Sequence, residues 1–131
     1  PLEYRVFDGW FTFMAGVPLP EGVTSRVAKA FITPRAGLVA AFVEGYAFLK
    51  RFDPADAAAV HPTQGVVEIY QQVDVDPAAS FLELEHHSAF TAIAPGGTLA
   101  MSETWSATPY AGDADPASRA SFLTGLALTA P

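Results

Sequence analysis

Ser80–Thr108 reads SFLELEHHSAFTAIAPGGTLAMSETWSAT, and the reading of this stretch decides the fold. It divides into two extended segments around a Pro95-Gly96-Gly97 turn. In the first segment Leu82, Leu84 and His86 share one parity, while Phe81, Glu83, Glu85 and His87 share the other. A strand sends alternate side chains to opposite faces, so a core-facing Leu82 and Leu84 put Glu83 and Glu85 side by side on the far face. In the second segment Leu99, Met101, Glu103 and Trp105 share a parity, which sets a carboxylate among apolar neighbours. Burying that charge unpaired costs several kcal/mol, so Glu103 calls for a cation or a wet cleft.

Working outward, strand patterns and turn signals alternate along the chain. Leu2–Phe7 and Trp10–Ala15 flank Asp8-Gly9, a type I′ hairpin signal. Thr24–Thr33 fits a strand or a short helix. Leu38–Glu44 and Tyr46–Phe52 read as two strands broken at Gly45, and in the second Lys50 lies between Phe48 and Phe52 on one parity. Lys50 is thus the cationic counterpart of Glu103, and the two are expected in one cleft. Asp53–Thr63 reads as a surface loop with one helical turn near Ala55–Ala59. Gly65–Val75 is a β-branched strand with Val67 and Ile69 on one side, Glu68 and Tyr70 on the other. Asp115-Pro116 opens the one convincing helix, near residues 116–129, with Asp115 as cap and Pro116 at the first helical position. The expected fold is a single all-β domain over residues 1–131, an antiparallel β-sandwich with one C-terminal helix.

Composition narrows the function. The chain has 131 residues, a formal charge of −7 and no cysteine. The negative charge, with the few basic residues scattered, argues against nucleic acid and anionic membrane as main partners. Disulfides, thiolate zinc sites and thiol nucleophiles are excluded. No apolar run approaches the roughly 18 residues of a membrane span, and no signal-like pattern follows Pro1, so the compartment stays open. An N-terminal proline base of the tautomerase kind would need βαβ units that the pattern lacks. Ser88, Ser102 and Ser106 lack a nucleophile-elbow context.

Phe48-Leu49-Lys50-Arg51-Phe52, Val67-Glu68-Ile69-Tyr70, Phe81-Leu82-Glu83-Leu84-Glu85, Ala94-Pro95-Gly96-Gly97 and Ser102-Glu103-Thr104-Trp105 follow one another in an order that resembles the C-terminal half of galactose-mutarotase-like proteins, the aldose 1-epimerase-like β-supersandwich. The likeness runs from about Val27 to Ser106 and is strongest to uncharacterised bacterial members. It implies an abbreviated supersandwich, and it implies that Glu85 is the catalytic base if the chain is an enzyme. His86 stands where that family carries Thr, and the family's histidine acid has no counterpart here.

The residues suggest a carbohydrate- or polyol-binding domain with an acidic, aromatic-edged cleft. Its expected ligand-binding residues are Lys50, Glu68, Tyr70, Glu83, His87, Glu103 and Trp105, with Trp10 as a further flat surface. Carboxylates accept from hydroxyls and aromatic rings cover sugar C–H faces. The rivals are a mutarotase- or epimerase-like proton-transfer enzyme using Glu85, and a structural or assembly domain whose acids are solvated. No cofactor and no metal is expected: His86 and His87 point to opposite faces and cannot readily chelate one ion, although His87, Glu85 and Glu83 share a face. Trp10, Phe11, Phe13 and Met14 are apolar on both parities, so the first hairpin asks for cover on both faces. A homodimer is expected through Trp10–Met14, with the C-terminal helix as a further contact.

Overall fold

The computed structural model describes residues 4–13 and 18–129, the side chains of 127–129 excepted. Pro1, Leu2, Met14 and Ala15, which entered the readings above, lie outside the described residues. The strands are β1 (Tyr4–Phe7), β2 (Trp10–Phe13), β3 (Ser25–Ile32), β4 (Leu38–Val43), β5 (Tyr46–Phe52), β6 (Val67–Asp74), β7 (Phe81–His86) and β8 (Glu103–Pro109), and the helix α1 spans Pro116–Thr129. β1 and β2 form a hairpin, β3-β6-β7 a first three-stranded sheet, and β4-β5-β8 a second, all antiparallel. The expected antiparallel β fold with a C-terminal helix is the one observed.

Local chemistry accounts for the turns. Asp8 and Gly9 carry φ of 48° and 83°, and Glu44 and Gly45 carry 49° and 78°. Positive φ at both central residues is what a two-residue I′ hairpin demands, because its twist matches that of the strands it joins. Asp115 Oδ1 accepts from the backbone N–H of Ala117 and Ser118 at 2.9 and 3.0 Å, which satisfies two orphan donors at the start of α1. The turn near Ala55–Ala59 is a single 3-10 turn over Ala57–Ala59, capped by Asp56.

Thr24–Thr33 resolves as a strand. Its even positions Ala28, Ala30 and Ile32 are half-buried, while Val27, Lys29 and Phe31 are exposed. The two sheets pack face to face over Val39 and Phe52 of the second sheet and Val67 and Ile69 of the first, with Ala30, Ile32 and Leu84 against them. On its other face the second sheet buries Ala47 and Leu49 under Leu123, with Phe42, Tyr110, Phe122 and Trp10 around them. The layers therefore run first sheet, second sheet, helix, and the far face of the first sheet looks outward.

The central stretch differs from its expected form at the start of its second segment. β7 and β8 do not pair with each other: β7 joins β6 and β8 joins β5, so residues 87–102 cross from one sheet to the other. The Pro95-Gly96-Gly97 turn is present, with Gly97 N–H donating to Ala94 O at 2.9 Å, but it sits within this crossing. β8 begins only at Glu103, and Leu99 and Met101 are exposed loop residues that do not flank it. The alternation was legible; the strand partner needed to extend it was absent.

The first hairpin is partly absorbed by its own chain. The indole of Trp10 packs on the helix side and donates to Thr124 Oγ1 at 2.9 Å, while Phe13 packs against the inter-sheet core. Trp10 is thus committed to the fold and is not a free surface for a ligand.

Candidate functional site

The singled-out residues fall into two groups on opposite sides of the first sheet. Lys50, Glu103 and Trp105 sit on the face of the second sheet that looks toward the first. Glu68, Tyr70, Glu83, Glu85 and His87 belong to the outward face of the first sheet. The single acidic cleft expected from the sequence is therefore two sites. Alternation is the cause: the core takes Val67, Ile69, Leu84 and His86, and the residues between them must face away.

The inner site is built on the β5–β8 register, in which Lys50 opposes Trp105 and Phe52 opposes Glu103. Lys50 Nζ lies 3.3 Å from Glu103 Oε2 and donates to the Leu84 carbonyl of the facing sheet at 2.8 Å. The expected pairing of Lys50 with Glu103 is present, on neighbouring strands and half-buried. His86 joins it: its Nδ1 is 3.0 Å from the same Glu103 oxygen, and its ring stacks on Phe52 at 4.1 Å. Trp105 donates its indole N–H to Glu103 Oε1, meets Phe48 edge to face at 5.6 Å, and has Lys50 5.5 Å from its ring centre. These contacts hold the ring in place, and the residue is nonetheless 63% exposed. Val43 and Tyr46, paired beyond it on the same face, are exposed too.

Electrostatics in this mouth follow from who faces whom. Burial pushes the Glu103 carboxyl up, but the Trp105 N–H, Lys50 and His86 together hold it below the usual carboxylate range. Burial, reinforced by Lys50 and His87, pulls His86 below the usual imidazole range against the pull of Glu103. A neutral His86 facing an ionised carboxylate donates through Nδ1–H, which leaves Nε2 as a buried acceptor with no hydrogen-bond partner among the described residues.

The outer site is laid out in rows across β3, β6 and β7: Phe31, Glu68 and Glu85 in one, Lys29, Tyr70 and Glu83 in the next, Val27, Gln72 and Phe81 in the third. Tyr70 and Phe81 stack at 5.7 Å. Glu68 is fully buried, its Oε1 accepting from Gly65 N–H at 3.1 Å and its Oε2 paired with the Lys29 ammonium. Burial pushes this carboxyl up, and Lys29 with the Gly65 N–H outweighs it to hold the group below the usual range. The hydrogen bond to Glu68 in turn raises Lys29. His87 Nδ1 lies 3.0 Å from the Gly65 carbonyl and its Nε2 3.9 Å from Glu85 Oε2.

Two residues of these sites were not among those expected from the sequence. Lys29 carries the signal that revealed Lys50, a cation between apolar residues of its own parity, here Val27 and Phe31. His86 shares the core-facing parity of Leu82 and Leu84, but its partner depends on β8 arriving opposite β7, which no local pattern announces.

The fold and these sites define an antiparallel β protein of a hairpin and two three-stranded sheets, with a charged, aromatic-edged cluster between the larger sheets and a second polar cluster on the outward sheet face. Residues 1–108 match the family described as a domain of unknown function, DUF4380, and the chain belongs to that family. No curated protein matches the chain. No solved structure matches it either. Among the described residues no helix is long and apolar enough to cross a membrane.

Proposed function

We propose that this chain binds a carbohydrate or polyol at the mouth between the sheets, with Trp105 as the platform and Lys50 and Glu103 as hydroxyl partners. One observation carries the reading. Glu103 takes the Trp105 indole N–H, Phe48 meets the ring edge to face and Lys50 lies over the ring, yet the residue is 63% exposed. A flat apolar surface held in place loses little freedom on binding, and the adjacent ionised pair offers both donors and acceptors to hydroxyls. The galactose-mutarotase-like resemblance supports a sugar-like ligand, and the antiparallel sheets are compatible with an abbreviated form of that fold.

A second reading, mutarotase- or epimerase-like proton transfer by Glu85, is favoured by the histidine 3.9 Å from that carboxylate on the open outer face. A carboxylate beside an imidazole has the components for moving a proton to and from a sugar hydroxyl.

A sugar-array screen followed by isotope exchange at the anomeric centre tests both. Binding that is lost in Trp105→Ala, with folding intact, supports the first reading. Exchange that is lost in Glu85→Gln supports the second. Neither binding nor exchange leaves a structural or assembly domain.

A further inference from the structure

The outer face of the first sheet holds a cluster that the sugar-binding reading does not use. Glu68, Glu85 and His87 each offer one donor atom, and these atoms lie within 4.8 Å of one another. Three observations set them apart from an ordinary solvated acidic face.

Glu68 has no exposed side-chain surface, although it stands on the face of the sheet turned away from the core. Taking an ionised carboxylate out of water is costly unless cations and donors surround it. Its ion-pair partner is Lys29, whose side chain is 39% exposed and is carried by the edge strand β3. That ammonium also lies 5.4 Å from the Phe31 ring centre, at the open edge of the sheet.

His87 is oriented from outside the cluster. A carbonyl only accepts, so the 3.0 Å contact with Gly65 O requires the proton on Nδ1. In the neutral imidazole Nε2 is then the lone-pair nitrogen, and it is the atom turned toward Glu85. A backbone carbonyl behind the imidazole is the arrangement that fixes tautomer and ring orientation in metal-ligating histidines.

Gly65 places two of the three donors at once, its N–H on Glu68 Oε1 and its C=O on His87 Nδ1. The cluster also gathers two carboxylates against the single ammonium of Lys29, an imbalance that a divalent ion corrects better than a monovalent one.

The geometry points to a divalent transition-metal site formed by Glu68, Glu85 and His87, in which the ion takes the place held by the Lys29 ammonium. One imidazole nitrogen with two carboxylate oxygens suits Zn²⁺ or Mn²⁺ better than Ca²⁺, which takes oxygen donors alone. Lys29 acts as a built-in competitor: it neutralises Glu68 when the metal is absent and is displaced when the metal arrives.

The test uses the whole chain, freed of metal with a chelator and titrated with Zn²⁺ alone by calorimetry, with Ca²⁺ as contrast. One Zn²⁺ per chain is expected, with Ca²⁺ much weaker. His87→Ala and Glu85→Gln should each weaken Zn²⁺ binding by at least the roughly 10- to 100-fold that loss of an outer-shell partner costs. His61→Ala should leave it unchanged, because His61 bonds Thr63 and stands outside the cluster. Removing the competitor in Lys29→Met should enlarge the rise in Tm that Zn²⁺ produces, since a ligand's stabilisation of the folded state grows with the logarithm of its affinity. Should His87→Ala fail to fold, Glu85→Gln alters a carboxylate already 36% exposed and decides the matter alone. No Zn²⁺ binding by the native chain overturns the proposal, as does binding that survives Glu85→Gln or disappears in His61→Ala. The Trp105 binding test addresses the opposite side of the sheet, and the Glu85 exchange test reads catalysis rather than metal affinity, so failure of either leaves this result standing.

Discussion

His86 and His87 are neighbours in sequence and serve opposite faces of one sheet. His86 lies between the sheets, stacked on Phe52 and 3.0 Å from Glu103, with a side chain only 3% exposed. His87 faces outward, 3.0 Å from the Gly65 carbonyl and 3.9 Å from Glu85. Together they make β7 the shared wall of both candidate sites.

Lys50 ties the two sheets through its bond to the Leu84 carbonyl. Replacing it with Met keeps the aliphatic stem between Phe48 and Phe52 and removes the ammonium. The loss of a charged hydrogen bond should lower stability by about 1.5–3 kcal/mol. Urea unfolding measures it, and a change within a few tenths of a kcal/mol would show that the inter-sheet bond contributes nothing net.

Gly65 holds Glu68 and His87 from a position with no room for a side chain. A Cβ there would sit 2.9 Å from the Val67 carbonyl oxygen and 3.2 Å from both Ile32 N and Phe31 Cα, all backbone atoms. Gly65→Ala should cost about 1–3 kcal/mol, the usual range for forced overpacking. Thermal unfolding at equal stability to the parent would mean that this segment yields easily.

His86 sets a pH dependence of stability. Burial holds its folded pKa below 6.5, so between that lower value and 6.5 the unfolded chain binds more protons than the folded one. Stability is full above about pH 6.5 and falls as the pH drops toward the folded value. Glu68 and Glu103 act lower still: both are held below 4.5, so their contribution is present above 4.5 and lost as acid titrates them. His86→Phe keeps a ring against Phe52 and should flatten the dependence just below pH 6.5 while leaving the more acidic limb. Unfolding curves at a series of pH values read this directly. A limb unchanged near pH 6 assigns it to another group.

Assembly is expected to be a two-fold homodimer. Trp10 and Phe13 are taken up inside the chain, but Tyr4 and Val6 on the same hairpin are exposed, and apolar surface on a short hairpin favours a second copy. Light scattering at micromolar concentration should give about twice the 13.8 kDa of one chain. Val6→Glu should return it to the monomer mass. A parent chain already monomeric removes the expectation.

Much of the fold was legible because the decisive signals are local. Asp8-Gly9 and Glu44-Gly45 dictate hairpins through backbone sterics, Asp115-Pro116 starts a helix by capping, and parity on β5, β6 and β7 states which side chains travel together. Parity also placed Lys50 and Glu103 as a pair, since each was a charge among apolar neighbours that needed an opposite partner. What parity cannot say is which face meets the other sheet, nor which strand lies alongside. Those choices are made by packing: Val67, Ile69 and Leu84 claim the inter-sheet core with Val39 and Phe52, and this turns Glu68, Glu83 and Glu85 outward. The same packing sends residues 87–102 across to the second sheet, brings His86 onto Glu103 and exposes Leu99 and Met101. Although it left Thr24–Thr33 open between strand and helix and carried the last strand back to Leu99, sequence alone determined most of the strands, the turns and the residues with charges to satisfy. Only the tertiary structure decided that they make two sites, because the burial of apolar faces is a property of two sheets together and of neither strand by itself.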